Sequence, residues 1–357
     1  MRRVSVTSAQ PGMVLATAVY DVKGVPVINA GEALNSSNIV LLARTMSAEI
    51  VIEDERTADI VVGGIFPIDL ETKASQALNI LLVMHQGVTS GIQKGGLVGL
   101  SAPINRLVGC VYPFVVGDPA ISGAHTLTGY HYVHPIKVAE LAMVIAQMAG
   151  ADKPELATIG MAAALMNIGY MSLRQSLLEQ PRPLEKDEWE QVRQHPAHSL
   201  AMLAEAGLPP EAMEAIEQHH ERWDGKGYPR GLKHHEISLY ARILGISDAY
   251  IALLSRRPYR PAMRPHEAIE FIIAYSGELF DPELVKMFVR QIPQYAAGVT
   301  VALNTGEVGI VTNPNAGHVA RPTVRVLHIN GVPVKVPYEI DLSNPEFQRK
   351  LIVEVDI

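Results

Sequence analysis

Two adjacent histidines, His219 and His220, stand directly ahead of a glycine-punctuated run, Glu221-Arg222-Trp223-Asp224-Gly225-Lys226-Gly227-Tyr228-Pro229-Arg230-Gly231. Neutral imidazole is the commonest ligand for transition metals. Neighbouring positions on a regular helix point about 100° apart, so both rings reach one ion only where the helix ends or where the ion sits between them. A helix running into a Gly-rich loop offers that setting. A paired His at a helix C-terminus has a second explanation, because the helix macrodipole stabilises imidazolium there. Spacing alone leaves the two readings level.

Other residues with chemical potential read as structural. His234-His235-Glu236 follows Gly231-Leu232-Lys233 in a polar stretch and suits surface histidines. Asp224 and Arg222 suit a staple within the loop. Cys110 lies in an apolar run without a basic neighbour, as a buried structural thiol would. Neither a phosphate-cradling Gly-rich loop nor a nucleophile elbow is present.

The elements that must carry these residues follow from pattern. Among the 357 residues, 48% are hydrophobic and 19% charged, enough to bury a large core in two or three domains. A net charge of −7 argues against a nucleic-acid polymer as partner. One cysteine excludes a disulfide framework or an intrachain thiolate zinc site. The N-terminus alternates apolar and polar residues and lacks a secretory h-region, so a cytoplasmic location is expected. The uncharged stretch from Leu156 to Leu173 contains Gly160, Asn167 and Gly169 and reads as a buried core helix, so no membrane span is expected.

Residues 1–65 read as a small α+β module. Val4/Val6, Met13-Val14-Leu15 and Val25 to Ile28 are strand-like, with a turn at Lys23-Gly24. A helix capped by Asn35 or Ser36 runs through Ile39, Leu42 and Met46, and a strand follows at Ile50 to Ile52. Residues 66–295 are helical in period: Val138, Leu141, Ile145 and Met148 recur at helical spacing. Asp187–Gln194, Ser199–Ala206, Glu211–His220, Ile246–Leu254 and Pro265–Ala274 are further expected helices. Residues 296–357 return to period two around an Asn330-Gly331 hairpin signal, a small β-rich appendage.

The run through Gly227-Tyr228-Pro229 resembles the signature loop of the HD-GYP family of metal-dependent phosphodiesterases. The resemblance extends to Ala241–Tyr250, to Arg257-Pro258-Tyr259-Arg260, and upstream to His134–Ala139 and Arg193–Pro196; it spans roughly 130–275. Pro11-Gly12-Met13-Val14-Leu15 is similar to a module that often precedes such domains. The resemblance implies a mainly α, HD-type helical domain flanked by the two small modules, with helix-borne ligands for two or three iron or manganese ions. It implies ligand roles for His134, His195, His219, His220 and Asp248, and cyclic di-GMP as substrate. Arg257 and Arg260 fall where the family grips nucleotide phosphates, which suits the guanidinium fork.

One departure bears on mechanism. Where the family carries a run like Leu-His-Asp-Ile-Gly-Lys, this chain reads Leu165-Met166-Asn167-Ile168-Gly169-Tyr170. Met166 takes the histidine slot, Asn167 the slot of the bridging aspartate, and Tyr170 the lysine slot. Tyr130 and Ile251 stand where some members carry further acidic residues. A neutral amide is a poor bridge between dications, and thioether sulfur suits Cu(I) rather than Mn or Fe(II). The expectation is therefore one Mn or Fe ion at His195, His219 and His220, a weak site at most for His134 with Asp248, and no binuclear centre. That describes a catalytically impaired cyclic di-GMP signalling module, working by ligand binding or through protein partners at the GYP loop. The alternatives are an active phosphodiesterase using the three-histidine site, and a purely structural homodimerisation scaffold.

Overall fold

The computed structural model of the chain describes residues 1–20, 26–42, 49–62, 66–85, 91–111, 130–178, 180, 182–255, 262–315 and 318–355. The chain divides into two compact units. One is built mainly from Met1–Ile65 and Val289–Ile357, the other from Phe66–Phe114 and Ile121–Phe288.

In the first unit the N-terminal part comprises β1 (Arg2–Ser5), β2 (Val19–Tyr20), β3 (Pro26–Ile28), α1 (Ser36–Leu42) and β4 (Glu49–Ile52). β1 pairs antiparallel with β4, and β2 with β3. Alternation in β1 and β4 turns Val4, Ile50 and Ile52 onto Leu15, Ile28, Leu34 and Leu42. Asn35 caps α1: its Oδ1 accepts the backbone N–H of Ser37 and Asn38 at 2.9 and 3.0 Å. Val6 falls in a 3-10 turn after β1 instead of extending it. Val14 and Leu15 form isolated bridges to Ala33 and Ile52 rather than a strand. Lys23, Gly24, Val25 and Met46 lie outside the described residues.

The C-terminal part is an antiparallel sheet of β5 (Thr300–Leu303), β6 (Glu307–Asn313), β7 (Thr323–Ile329), β8 (Val332–Asp341) and β9 (Ile352–Val355), in the order β8-β7-β6-β5-β9. Asn330 and Gly331 turn β7 into β8 with φ of 50° and 78°, the left-handed pair a tight hairpin requires. Ile60 and Val62 pack with Ala297, Ile310 and Leu327. Arg325 on β7 holds Asp59 at 2.6 Å and Glu339 at 2.8 Å. These contacts join the two ends of the chain into one unit.

The helices are α2 (Ile68–His85), α3 (Val98–Val111), α4 (Tyr130–Met148), α5 (Lys153–Leu165), α6 (Gln175–Leu178), α7 (Lys186–Val192), α8 (His195–Leu203), α9 (Pro210–Gln218), α10 (Leu239–Leu254), α11 (Pro265–Ala274) and α12 (Pro282–Gln291). α4 and α5 are buried nearly all round, which is why neither sequence shows a polar face. A reciprocal Asp152–Glu155 capping box starts α5. α5 stops at Leu165, short of the uncharged stretch to Leu173 that the sequence offered as one helix. The chain turns through Met166 and Asn167 into a 3-10 segment, Ile168–Ser172. Gly169 makes this possible, because a Cβ there would lie 2.1 Å from the carbonyl oxygen of His195. Ser199 Oγ ties the turn to α8, accepting from Gly169 N at 2.9 Å and donating to Met166 O at 2.8 Å. No described helix is long and apolar enough to cross a membrane.

The helical unit also buries charge. Lys137 Nζ on α4 lies 2.6 Å from Glu71 on α2 and 3.3 Å from Glu140 on α4. Burial, and then the Glu71 charge, push Glu140 up to about 8 against the opposing pull of Lys137, from an ordinary value of 4.5. Between those two values the folded chain keeps a proton that the unfolded chain has released, so stability falls as pH rises through that window. Glu140→Gln is expected to flatten the fall between pH 5 and pH 8. Urea unfolding at both pH values checks this, and an identical pH dependence in wild type and variant would show that Glu140 ionises normally.

Candidate metal centre

His195 begins α8, and His219 follows the last residue of α9 with helical dihedrals, so His220 lies where the chain leaves the helix. The two adjacent rings can therefore converge, and one ligand nitrogen from each of His195, His219 and His220 falls within 4.8 Å of the others. His195 Nδ1 donates to Val192 O at 2.8 Å, and His219 Nδ1 donates to Ile216 O at 2.7 Å. A carbonyl only accepts, so each Nδ1 carries the ring proton. Burial, joined by the neighbouring His219, holds His195 down at about 3. Burial also lowers His219, and lowers His220 well below its usual value. With both rings neutral, the Nε2 atoms of His195 and His219 are bare lone pairs that face each other 3.3 Å apart. His220 Nε2 is buried and has no hydrogen-bond partner among the described residues. Two facing lone pairs without protons, with a third buried and unpartnered imidazole nitrogen beside them, call for a cation, and the backbone bonds at Nδ1 of His195 and His219 are of the kind that orient metal-binding imidazoles. The residues fit one divalent ion.

His134 and Asp248 form a separate pair beside this cluster. His134 Nε2 on α4 donates to Asp248 Oδ1 on α10 at 2.7 Å, and the Tyr130 ring stacks on His134 at 4.6 Å. Burial pushes the Asp248 carboxyl up, but the His134 bond outweighs it and holds the group well below its usual range. Met166 is fully buried at the end of α5, with its carbonyl bonded to Ser199. Asn167 Oδ1 is buried and finds no partner among the described residues. The Tyr170 ring covers His195 at 4.2 Å. Arg257 and Arg260 lie outside the described residues.

The loop after His220 is tied down by a residue the sequence left unassigned. The Glu221 carboxylate accepts the backbone N–H groups of Arg230, Gly231 and Leu232 at 2.6, 3.0 and 3.0 Å. The available signal was an acid set beside a loop whose backbone donors need acceptors. Arg222 and Asp224 staple the loop with two bonds of 3.1 and 2.8 Å. His234 and His235 are exposed and pack edge-on against Trp223. Gly227 passes so close that a Cβ would meet Arg222 N at 2.3 Å, whereas Gly231 has its nearest atom at 3.4 Å and a φ of 68°. Gly231→Ala should therefore cost ~1–2 kcal/mol of backbone strain. Gly227→Ala must displace main chain and is expected to cost more than ~2 kcal/mol. Denaturant unfolding of both variants measures this; equal losses would mean the loop yields easily.

Known proteins resemble the helical part of this chain. Residues 115–284 match the HD domain family. A cyclic di-GMP phosphodiesterase of Pseudomonas aeruginosa is 32% identical over 212 residues, 59% of this chain and 51% of that one. A cyclic di-GMP phosphodiesterase of Thermotoga maritima is 35% identical over 159 residues, 44% and 43% of the two chains. A 3'3'-cGAMP-specific phosphodiesterase of Vibrio cholerae is 32% identical over 150 residues, 42% and 33%. The chain spans about half the length, or less, of these relatives. Over this region the chain resembles HD-domain proteins, and the curated relatives it matches there are cyclic dinucleotide phosphodiesterases.

Proposed function

We propose that this chain is a cyclic di-GMP-binding signalling protein that holds one Mn or Fe ion and has lost efficient phosphodiester hydrolysis. The carrying observation is the convergence of one imidazole nitrogen from each of His195, His219 and His220, with the bare Nε2 atoms of His195 and His219 facing each other. Asp248, the carboxylate whose charge acts on His219 and His220, is engaged by His134. Two-metal hydrolysis needs a pair of ions to clamp the attacking and leaving oxygens, and Met166 and Asn167 supply no charge to hold the second. A bound ion would supply positive charge for a phosphate oxygen. His195 and His219 would present it, and Tyr170 over His195 would keep water from one side. Arg257 and Arg260 would grip the phosphates, and the Glu221-anchored loop would offer a face to partner proteins.

Calorimetry with cyclic di-GMP and a nucleotide-release assay with added Mn(II) or Fe(II) test this together. The expected affinity is on the order of micromolar or weaker, about −8 kcal/mol, without multiple turnovers. Arg257→Ala should weaken binding by about 1.5–3 kcal/mol, the range for a hydrogen bond to a charged group. Multiple turnovers abolished by His219→Ala would replace this reading with a single-metal phosphodiesterase. No heat at high ligand concentration would leave a protein-interaction role.

A further inference from the structure

The three imidazoles of the centre are not held alike. His195 and His219 are each locked by an Nδ1 bond to a carbonyl three residues earlier, at 2.8 and 2.7 Å. No hydrogen bond fixes the His220 ring among the described residues. What lies against it instead is Tyr228, stacked nearly parallel at 4.8 Å between centroids and 23° between planes. The Arg193 guanidinium, just after α7, sits over the same Tyr228 ring at 4.7 Å. The rings of His219 and His195 meet His220 at 4.1 and 5.0 Å.

We infer that Tyr228 is the positioning residue for His220, with Arg193 holding Tyr228 in place. The inference rests on the metal reading of the histidine cluster and adds what orients its third member. Ring stacking is favourable beyond the area it buries, and so is a guanidinium on an aromatic face. Together these are comparable to the carbonyl bond that His220 lacks. The loop geometry serves the same end. Tyr228 N donates to His220 O at 3.2 Å, and the approach of Gly227 to Glu221 and Arg222 folds the loop back so that the Tyr228 ring reaches His220. Glu221 then fixes the far side of the loop. The Tyr228 hydroxyl plays no part in the stack, so Phe should replace Tyr without loss.

Two measurements on the full chain separate this inference from the metal reading. Histidine-ring NMR of the chelator-treated protein reports His220 without any ion. Tyr228→Ala should shift and broaden the His220 ring signal while His195 and His219 stay put, and Tyr228→Phe should restore it. Cobalt(II) titration then reads the centre itself. Tyr228→Ala is expected to weaken Co(II) about 10–100-fold, the usual effect of losing a group that orients a ligand, and to change the visible absorption of the bound ion. Arg193→Gln should show a smaller loss. In a His220→Ala background, Tyr228→Ala should add nothing. An unchanged His220 signal in Tyr228→Ala, or an equal Co(II) loss with and without His220, would overturn the positioning role. Failure of wild type to bind Co(II), with the NMR effect intact, would overturn the metal reading and leave the Tyr228–His220 coupling standing.

Discussion

Protein reloaded with Mn(II) or Fe(II) and freed of excess metal is expected to carry one ion per chain, and His219→Ala none. Removing even an outer partner of a metal ligand typically costs ~10–100-fold in affinity. His219 is itself a central member of the cluster, with its Nε2 3.3 Å from that of His195 and its ring 4.1 Å from His220. Its loss should exceed that range and empty the site at micromolar free metal. His134→Ala should behave differently. His134 is bonded to Asp248, outside the trio, so its removal frees a half-buried carboxylate without subtracting a nitrogen from the cluster. Elemental analysis of wild type and both variants decides the matter. Two ions in wild type would mean that His134 and Asp248 open to hold a second. Equal metal in wild type and His219→Ala would remove the cluster from consideration.

What could be read from the sequence divides along physical lines. Elements with a one-sided pattern or a strong end signal were legible: α11 from Pro265 to Ala274, and the Asn330-Gly331 hairpin with its two positive φ values. Elements buried all round were legible as helices but not in their limits. α10 begins at Leu239, where Ser238 caps it, rather than at Ile246. α8 begins at His195 rather than Ser199, since its first turn is closed by packing against the turn at Gly169. At the centre, the family resemblance already grouped His195, His219 and His220, and the structure brings those three together. What the sequence did not give is how the rings are oriented, which depends on main-chain carbonyls of Val192 and Ile216 that no side-chain pattern announces. The resemblance also paired His134 with Asp248; the direct hydrogen bond that joins α4 to α10 across 114 positions appears only in the fold. The contacts of Ile60, Val62 and Asp59 with the C-terminal sheet are equally non-local, so each end read as a module by itself.

Met166→His combined with Asn167→Asp is expected to lift the metal content toward two ions per chain and, without metal, to destabilise the protein. Both effects follow from burial. The Met166 side chain is fully buried, and Asn167 Oδ1 is buried without a partner among the described residues. A neutral amide tolerates that position at the ordinary cost of an unmade hydrogen bond, ~1–3 kcal/mol. A carboxylate does not: a buried charge without a partner costs about 3–5 kcal/mol, and the neighbouring imidazoles are held neutral rather than cationic. In chelator the double variant should therefore melt well below wild type. Added Mn(II) should reverse the order, because an ion that binds only the folded state adds ~2.7 kcal/mol of stability at a concentration one hundred times its Kd. Asn167→Asp alone should show the metal-free loss with less of the recovery, since it restores charge but not the second imidazole. Melting curves with chelator and with graded Mn(II), read beside elemental analysis, test the chain of reasoning. A double variant as stable as wild type in chelator would show that Asn167 reaches solvent or a hydrogen-bond donor. Loss in chelator without recovery in Mn(II) would show that the ligands at this end of α5 do not converge on an ion, and that more than two side chains separate this protein from a binuclear centre.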